Sequence, residues 1–366
     1  MNAFLHIAAP AISELKPYTP GKPISELERE LGITHSIKLA SNENPLGASP
    51  MVVEAIQAAL PDLARYPDGG GFELRQALAQ KHGITAERIT LGNGSNDVLD
   101  MVARVFLTPD TESLFSQYAF AVYPISSQAM GADLVVAPAR HYGHDLTAMR
   151  ERVTPKTRVV WIANPNNPTG TWVDKEALYA FIRDLPAEVI VVVDEAYTEY
   201  VDQPDYPDAS QWLDEFPNLI VTRTFSKAYG LASLRVGYSL SHPDVAELLN
   251  RVRQPFNVNS LALVGALAAL QDPVFIERSV ETNRVGMAQL VAGVEQLGLG
   301  YIPSVGNFLT VDFNREAGPI DQALLRLGCI TRPLANYGMP NHLRLTVGLH
   351  AENERLLDGF REVLSA

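Results

Sequence analysis

Lys227 is the residue in this chain whose type and surroundings point most directly to covalent chemistry. It follows the apolar run 219–221, which would place it at the exit of a buried strand. Thr224 and Ser226 offer hydroxyl groups beside it, and Arg235 offers a planar guanidinium that can hold a phosphate through two parallel hydrogen bonds. Because burial among cations favours the neutral, nucleophilic amine, this segment predicts a Schiff-base lysine beside a phosphate site.

Two segments upstream carry polar side chains that complement the lysine. They are Asn-Pro-Asn-Asn-Pro-Thr-Gly at 164–170 and Asp-Glu-Ala-Tyr at 194–197, and each follows an apolar run. Ligands of open parallel sheets bind in the crevice outside the carboxyl ends of the strands, so these segments are expected to meet there. Together the three segments resemble the cofactor pocket of a fold-type I aminotransferase that depends on pyridoxal phosphate (PLP). That resemblance implies that Lys227 forms the internal aldimine and then shuttles protons.

The chemistry of PLP suggests roles for three residues of these segments. Asp194 would hold a proton on the pyridine nitrogen, because a carboxylate that ends an apolar strand is costly to bury without a cationic partner. Tyr197 and the amide of Asn167 can donate hydrogen bonds to the phenolate oxygen of the ring. The alternative for Asp194 is a helix N-cap, which its proximity to Asn167 and Lys227 makes the weaker interpretation.

The phosphate of the cofactor needs fixed donors. Gly94, Ser95 and Asn96 lie where a predicted strand passes into a helix, so their N–H groups can face an anion. Arg235, Thr224 and Ser226 would complete this phosphate cup. An aromatic ring is expected on the pyridine face, and Phe120 and Tyr118 both qualify. We favour Phe120, with core packing as the alternative for either ring.

The elements that position these residues follow from hydrophobic patterning. Between residues 50 and 250 short apolar runs alternate with helical patterns, which predicts an α/β domain with a mostly parallel seven-stranded sheet between helices. The predicted strands are 88–91, 112–115, 133–137, 158–162, 189–193, 219–221 and 236–240, and the helices between them are 50–60, 72–81, 97–105 and 175–183. Beyond residue 255 the pattern changes to a smaller α+β arrangement. We predict a large PLP-binding domain over 45–255, and a small domain formed by 1–44 with 256–366.

Composition excludes several other classes of protein. The 366 residues carry a formal net charge of −13 without a basic run, which argues against a nucleic-acid partner. Cys329 is the single cysteine, so an intrachain disulfide or a cysteine metal cluster is impossible, and no metal site is predicted. No stretch reaches the apolar length of a membrane span, and residues 1–10 lack the features of a signal peptide. We predict a cytoplasmic protein that does not associate with membranes.

The resemblance extends over essentially the whole chain. Segments 16–21 (Lys-Pro-Tyr-Thr-Pro-Gly), 41–47, 65–68, 330–338 and 342–348, taken with the pocket motifs, resemble the histidinol-phosphate aminotransferase branch of the aspartate aminotransferase superfamily. This implies PLP-dependent transferase fold type I. The chain departs from the family at one point, because Ala232-Ser233 stands where Ala-Gly is usual. A small residue is kept there, so the expected fold is unchanged.

The resemblance also implies a homodimer with shared active sites, in which Tyr66 reaches the phosphate of the partner's cofactor. Arg344 would grip the terminal anion of the substrate with help from Arg332, although surface ion pairing is an alternative role for each. The substrate-side residues implied are Tyr18, Asn42, Asn307, Arg332 and Arg344. The implied reaction is reversible amino transfer between glutamate and imidazole-acetol phosphate, giving histidinol phosphate and 2-oxoglutarate. It would follow a ping-pong course through pyridoxamine phosphate.

Three competing functions remain open at this point. An aromatic or broad-range amino acid aminotransferase would need a similar apolar pocket. A PLP-dependent decarboxylase of a phosphorylated amino acid would have a closely similar sequence. A non-catalytic PLP-binding regulator ranks last, because such regulators usually carry a DNA-binding module and this chain has no basic surface signature.

Overall fold

The computed structural model describes residues 4–18 and 20–365. Its helices are α1 (Ile24–Leu31), α2 (Pro50–Ala59), α3 (Phe72–His82), α4 (Ser95–Phe106), α5 (Val122–Ala129), α6 (Leu146–Arg150), α7 (Lys175–Arg183), α8 (Pro243–Val252), α9 (Ser260–Leu270), α10 (Pro273–Gln296), α11 (Gly318–Arg326) and α12 (His350–Ser365). Its strands are β1 (Ile37–Lys38), β2 (Ile89–Gly92), β3 (Glu112–Ser116), β4 (Asp133–Ala137), β5 (Ala139–Arg140), β6 (Gly143–His144), β7 (Thr157–Ala163), β8 (Ile190–Asp194), β9 (Leu219–Thr224), β10 (Gly237–Ser241), β11 (Gly300–Ile302), β12 (Phe308–Asp312), β13 (Cys329–Ile330), β14 (Arg332–Pro333) and β15 (His342–Thr346).

A seven-stranded sheet forms the centre of the molecule. Its strand order is β2-β10-β9-β8-β7-β3-β4, and every neighbouring pair is parallel except the two that involve β10. All five residues of β8 are buried, as expected of a strand covered on both faces. Two apolar clusters, one on each side of the sheet, supply that cover. The predicted mostly parallel α/β sheet of seven strands is therefore confirmed.

Most predicted elements of this sheet and its helices are present within one or two residues. Helix α4 begins at Ser95, two positions before the predicted start at residue 97, directly after Gly94 with φ 81°. Helices α5, α6 and α8 were not predicted. In α5 the sequence Val-Tyr-Pro-Ile-Ser-Ser-Gln-Ala combines a proline with residues of low helix propensity, so local patterning gives little signal. Its packing against α4 provides the stabilisation that propensity does not.

A second, antiparallel sheet has the order β11-β12-β15-β14, with α10, α11 and α12 packed beside it. Its core contains Leu309, Leu343 and Phe360. Near the start of the chain, β1 pairs in parallel with β13, and the Leu39 carbonyl accepts a hydrogen bond from the Thr346 N–H at 2.8 Å. The early segment is thus held against the C-terminal elements, and the crevice between the two sheets contains the carboxyl ends of β7, β8 and β9.

Helix α9 packs against α2 and α3, and its residues Ala262, Ala266 and Ala269 belong to the core of the large sheet. The domain boundary predicted at residue 255 stays a prediction, and α9 lies beyond it. Among the residues that the structure describes, no single helix is long and apolar enough to cross a membrane. Helices α9 and α10 satisfy the length and composition criteria only as a pair bent by 83°.

Candidate active site

A cavity lies between the two sheets, at the carboxyl ends of the parallel strands. Most of the residues selected from the sequence line it: Tyr18, Asn42, Ser95, Asn96, Phe120, Asn167, Asp194, Tyr197, Thr224, Ser226, Lys227, Arg235, Arg332 and Arg344. The structure therefore brings together side chains from segments that are far apart in the sequence. Ser41, Ala40 and Tyr337 also line the cavity and were not selected.

Lys227 occupies the turn that follows β9, as predicted. Its Nζ donates a hydrogen bond to the Ser41 carbonyl at 3.0 Å and lies 5.7 Å from the centre of the Tyr197 ring. Burial, followed by the positive charge of Arg344, lowers the pKa of Lys227 from 10.5 to about 7. A substantial fraction of the amine is therefore neutral near pH 7, which is the form that attacks a carbonyl and accepts a proton.

Close packing holds the turn that carries Lys227 in place. Gly230 has φ 71°, and a Cβ at this position would overlap the Gly47 carbonyl. Only glycine combines this backbone conformation with such a close approach. The chain around residue 47 therefore contacts the lysine turn directly, which keeps Ser41 and Lys227 within hydrogen-bond distance.

Asp194 is the last residue of β8 and is buried. Its Oδ2 accepts a hydrogen bond from the Tyr123 hydroxyl at 2.8 Å, and its Oδ1 accepts one from the Thr222 hydroxyl at 2.9 Å. Burial raises the pKa of Asp194, while these two hydrogen bonds and the charge of Lys227 act in the opposite direction. The arrangement fixes a carboxylate at a position where a cation is needed to offset its burial.

Tyr123 and Thr222 were missed in the sequence analysis. Thr222 lies two residues before Thr224 on β9, and alternate residues of a strand share a face, so this position could have been found. Tyr123 belongs to α5, a helix that the sequence did not reveal. Its ring stacks on Trp161 at 5.2 Å between centroids, and this contact orients the hydroxyl that reaches Asp194.

Tyr197 and Asn167 each have one hydrogen-bonding atom already engaged. The Tyr197 hydroxyl oxygen accepts a hydrogen bond from Asn42 Nδ2 at 2.9 Å, and burial raises the pKa of Tyr197 to about 12. The Asn167 Oδ1 accepts a hydrogen bond from Arg344 Nη1 at 2.5 Å. The remaining donors, the phenol hydrogen and the amide Nδ2, are therefore left for an acceptor in the cavity.

Anion-binding groups gather at the N-terminus of α4. Ser95 and Asn96 begin this helix, whose first N–H groups have no partner within the helix. Thr224, Ser226 and Arg235 lie on the same side of the cavity, and Arg235 Nη1 is 3.4 Å from Ser226 Oγ. Arg235 has φ 56°, a left-handed conformation that is rare for a non-glycine residue and that concentrates at functional sites.

Gly94 does not line the cavity, but its position explains how Arg235 is held. A Cβ on Gly94 would collide with the Arg235 guanidinium, and the φ of 81° also favours glycine. The absent side chain thus provides the space in which the guanidinium lies. Of the two aromatic candidates, Phe120 lines the cavity and packs edge-on against Tyr123, whereas Tyr118 packs against Tyr142.

Two arginines from the second sheet form the opposite wall. Arg332 and Arg344 are paired across β14 and β15, and both are almost completely buried. Arg344 Nη2 donates to the Ala40 carbonyl at 2.7 Å, and the Arg332 Cζ lies 5.6 Å from the Tyr18 ring centre. Both side chains are therefore buried and not on the surface. The positive charges of these two neighbouring residues would attract an anionic ligand.

Two further candidates lie outside the cavity lining. Asn307 donates from Nδ2 to the Asn42 carbonyl at 3.0 Å, so it supports the wall of the site. Tyr66 is 82% exposed, and its ring stacks on Phe256 with 4.7 Å between centroids. Within one subunit the Tyr66 side chain is therefore on the surface, away from the residues that surround Lys227.

The residues present fit the group that the sequence predicts. The hydroxyls, guanidinium and helix N-terminus around Arg235 suit a phosphate. Asp194 suits a protonated ring nitrogen, and the free donors of Asn167 and Tyr197 suit a ring oxygen. Lys227 supplies the amine. PLP therefore matches the groups that line the cavity. Each of these residues would hold the part of the cofactor with which it is paired above.

A seven-stranded, mostly parallel sheet that places a buried lysine, a carboxylate and an anion cup in one crevice defines a PLP-dependent aminotransferase. Residues 34–360 match the family model "Aminotransferase class I and II", and the chain belongs to this family. Within the family it is a member of the histidinol-phosphate aminotransferases. It is 58% identical over 364 residues to "Histidinol-phosphate aminotransferase 2" of Pseudomonas fluorescens, covering 99% of this chain and 98% of that protein.

Other relatives agree. "Histidinol-phosphate aminotransferase 2" of Pseudomonas aeruginosa is 57% identical, with both chains fully covered. The crystal structure of histidinol-phosphate aminotransferase from Sinorhizobium meliloti in complex with pyridoxal-5'-phosphate superposes with a TM-score of 0.91 at 29% identity, covering 98% of this chain and 97% of that one. Aspartate aminotransferase from Thermus thermophilus with maleate has a TM-score of 0.82 at 22% identity, covering 97% and 99%, which is a likeness of fold alone.

These findings confirm the predicted family, the fold type I architecture and the enzyme class. They also support PLP as the cofactor, through the family and the S. meliloti complex. The roles given to individual site residues stay predictions, although the structure brings most of those residues into one cavity.

Proposed function

We propose that this chain catalyses reversible amino transfer between histidinol phosphate and 2-oxoglutarate, with PLP as its cofactor. The observation that carries the proposal is that Lys227, Asp194 and the two buried arginines Arg332 and Arg344 share one cavity. The names of the relatives at 57–58% identity support the choice of substrate. When bound, PLP supplies a carbonyl carbon that combines with amines and a ring that takes up negative charge.

The residues of the chain divide the remaining work. Lys227 Nζ, whose pKa is lowered to about 7, takes a proton from the substrate carbon and returns one as general base and acid. Asp194, held by Tyr123 and Thr222, keeps a proton on the ring nitrogen. The cup around Arg235 fixes the cofactor phosphate, so that the reacting atoms stay within reach of Lys227.

The anionic end of either substrate is assigned to Arg344 and Arg332. The phosphate of histidinol phosphate is a tetrahedral oxyanion, and the carboxylate of glutamate is a planar one. A guanidinium can hold either group through paired hydrogen bonds. Arg344 Nε is buried and has no hydrogen-bond partner among the residues that the structure describes. Nη1 and Nη2 each donate one hydrogen to a protein acceptor, so each keeps a second hydrogen for a ligand oxygen.

Steady-state rates on a panel of amino donors test the proposal. With 2-oxoglutarate as acceptor, we expect histidinol phosphate to give a kcat/KM at least about a hundredfold above those of phenylalanine, tyrosine and leucine, since their carboxylate carries less negative charge than the phosphate that would face Arg344 and Arg332. Comparable values for phenylalanine would favour the aromatic or broad-range aminotransferase. Release of carbon dioxide from phosphorylated amino acids, without formation of glutamate, would favour the decarboxylase.

We further propose that two copies of the chain form a homodimer with shared active sites. The support is a surface on which large apolar side chains are exposed, including Leu63 at 61%, Tyr66 at 82%, Phe72 at 65% and Phe256 at 46%. A patch of this kind commonly marks a protein interface. In the proposed dimer Tyr66 of each subunit binds the cofactor phosphate of its partner.

Mixed dimers test the shared site. Lys227→Ala and Tyr66→Ala subunits are expected to be almost inactive when pure. After mixing and subunit exchange, half of the dimers carry both kinds of subunit, and each has one intact site. Activity should then return to about a quarter of the wild-type value. A Lys227→Ala and Asp194→Asn mixture serves as the negative control and should show no recovery, because those two residues belong to the same subunit's site. Absence of recovery in the Tyr66 mixture would contradict the shared site.

The division into a large domain at 45–255 and a small domain formed by 1–44 with 256–366 is supported by the separate apolar cores of the two sheets. Limited proteolysis with mapping of the cut sites would test it.

A cytoplasmic location agrees with a chain whose single cysteine, Cys329, is buried and unpaired. Cell fractionation would test that location.

A further inference from the structure

Asn42 is a buried residue in an unfavourable backbone conformation next to the site. It has φ 55° and is 1% exposed. A left-handed conformation is unfavourable for a residue with a side chain, although asparagine tolerates it better than most. Such a conformation persists when surrounding contacts determine it, and at functional sites it often positions a group.

Four hydrogen bonds hold Asn42 and fix the orientation of its amide. The Asn42 N–H donates to Thr346 Oγ1 at 2.8 Å, so the Thr346 hydroxyl hydrogen is free to bind Asn42 Oδ1 at 3.3 Å. The Asn42 carbonyl accepts from Asn307 Nδ2 at 3.0 Å. With Oδ1 directed to Thr346, the other end of the amide is Nδ2, and it donates to the Tyr197 hydroxyl oxygen at 2.9 Å.

This orientation decides what the Tyr197 hydroxyl can do. A phenol has one hydrogen to donate, and its oxygen accepts through lone pairs. Because Asn42 presents a donor, Tyr197 cannot give its hydrogen to Asn42. Burial raises the pKa of Tyr197 to about 12, so the hydroxyl remains protonated at neutral pH. Its hydrogen is left for an acceptor in the cavity that Tyr197 lines.

We propose that Asn42 is a positioning residue that makes Tyr197 a hydrogen-bond donor directed at the ring oxygen of the cofactor. This inference rests on the proposed PLP site and deepens it. It replaces the substrate-contact role that the sequence suggested for Asn42. The backbone of Asn42 is bound by Thr346, in β15 of the second sheet, and by Asn307, which directly precedes β12. Asn42 therefore connects that sheet to Tyr197.

The test uses the visible absorption band of the protein loaded with PLP. A donor to the ring oxygen favours the negatively charged oxygen, and it therefore lowers the pH at which the band shifts. Asn42→Asp replaces the amide donor by an acceptor, so Tyr197 would turn its hydrogen to residue 42. We expect the midpoint of the absorption change to rise by about one pH unit or more, approaching that of Tyr197→Phe.

A matched control separates this effect from general destabilisation. Asn44 is also buried, and its Nδ2 donates to the Ala228 carbonyl and Ser279 Oγ, both at 2.8 Å, without contact to Tyr197. Asn44→Asp should leave the midpoint unchanged. Asn42→Gly accepts the φ of 55° and lacks the amide, so it remains informative if Asn42→Asp does not fold. We expect Asn42→Gly to raise the midpoint by a smaller amount.

The outcomes distinguish the inference from the function on which it rests. A raised midpoint in the Asn42 variants, with Asn44→Asp unchanged, supports the proposal. An unchanged midpoint in Asn42→Asp and Asn42→Gly, while Tyr197→Phe shifts, overturns it. Equal shifts in the Asn42 and Asn44 variants also overturn it, because the effect would then be structural. If the wild-type protein gave no visible band with PLP, the proposed function itself would fail.

Discussion

Arg344 on the second sheet donates a hydrogen bond to the side-chain oxygen of Asn167, a residue that follows a strand of the central sheet. One side chain thus connects the part of the cavity assigned to the substrate with the part assigned to the cofactor. The same contact turns the amide nitrogen of Asn167 away from Arg344 and leaves it as a donor. Substrate recognition and cofactor orientation are therefore expected to be coupled through this pair.

Replacement of Arg344 by lysine tests that coupling. The variant keeps the charge but loses the fork, and it should weaken the binding of both glutamate and histidinol phosphate by about 1.5–3 kcal/mol. The midpoint pH of the PLP absorption band should also shift, because Asn167 loses the contact that directs its amide nitrogen, whereas the affinity for PLP should change little because the phosphate cup is intact. KM values and spectral titrations measure the two effects. Unaltered kinetics for both substrates would remove Arg344 from the substrate site, and a loss of cofactor retention alone would move it to the cofactor site.

The Asp194→Asn variant should fold and bind PLP but lose most of its rate. An amide cannot hold the ring proton, so stabilisation of the developing negative charge is lost. We expect each half-reaction to slow by about a hundred- to a thousandfold, as for other groups that stabilise charge in a transition state. Stopped-flow absorbance measures this. Tyr123→Phe, which removes only a donor to Asp194, should slow the reaction far less. Half-reaction rates of Asp194→Asn near wild type would show that Asp194 has another role.

Gly94→Ala should weaken cofactor binding selectively. The added Cβ would displace the Arg235 guanidinium, so we expect the Kd for PLP to rise about ten- to a hundredfold, equivalent to the loss of a charged hydrogen bond. Fluorescence titration of the cofactor-free protein measures it. Gly32→Ala is the matched control, since Gly32 has φ 65° and a Cβ there would meet no atom within 4 Å. If both variants bound PLP like the wild type, Arg235 would not be part of the phosphate cup.

The lowered pKa of Lys227 predicts how the stability of the cofactor-free protein depends on pH. Below pH 7 the lysine is charged in both the folded and the unfolded state, so its burial costs the most. Between pH 7 and 10.5 the folded state has released the proton and the unfolded state has not, so stability rises with pH. Lys227→Met should therefore be more stable than wild type at neutral pH, and the difference should shrink as the pH rises to 10. Urea unfolding at several pH values, with Lys156→Met as an exposed control, measures this. A constant difference would contradict the lowered pKa.

A buried ion pair lies beside the site. We expect its attraction mainly to offset the free-energy cost of burying its own two charges. Arg223 Nη2 binds Glu195 Oε2 and Asp208 Oδ1, each at 2.7 Å, and the Glu195 side chain has no exposed surface. Arg223→Met leaves Glu195 uncompensated and should lower the free energy of unfolding by about 3–5 kcal/mol. Adding Glu195→Leu should restore most of it. The exposed pair Arg251–Glu247 is the control, where Arg251→Met should cost at most about 1 kcal/mol. A double variant as unstable as Arg223→Met would contradict this account.

Much of the fold and the site could be predicted because the signals are local. The β-branched strand that ends at Asp194 and the apolar strand before Lys227 are visible in the sequence, and topology brings their ends together. The contacts of Tyr123 and Asn42 could not be predicted in the same way. They join Tyr123 to Asp194 across 71 positions and Asn42 to Tyr197 across 155, and neither leaves a periodic pattern. The proposed role of Tyr66 depends on a second copy of the chain, because Tyr66 would bind the cofactor phosphate of that copy.

The central claim is that Lys227 is the general base and acid in the transfer of an amino group from histidinol phosphate to 2-oxoglutarate. Histidinol phosphate labelled with nitrogen-15 on its amine, incubated with 2-oxoglutarate and the PLP-loaded protein, tests it most directly by mass spectrometry of the glutamate formed. The account predicts labelled glutamate with the wild-type protein, and none above the protein-free background with Lys227→Ala. Labelled glutamate formed equally by both proteins, or by neither, would contradict it.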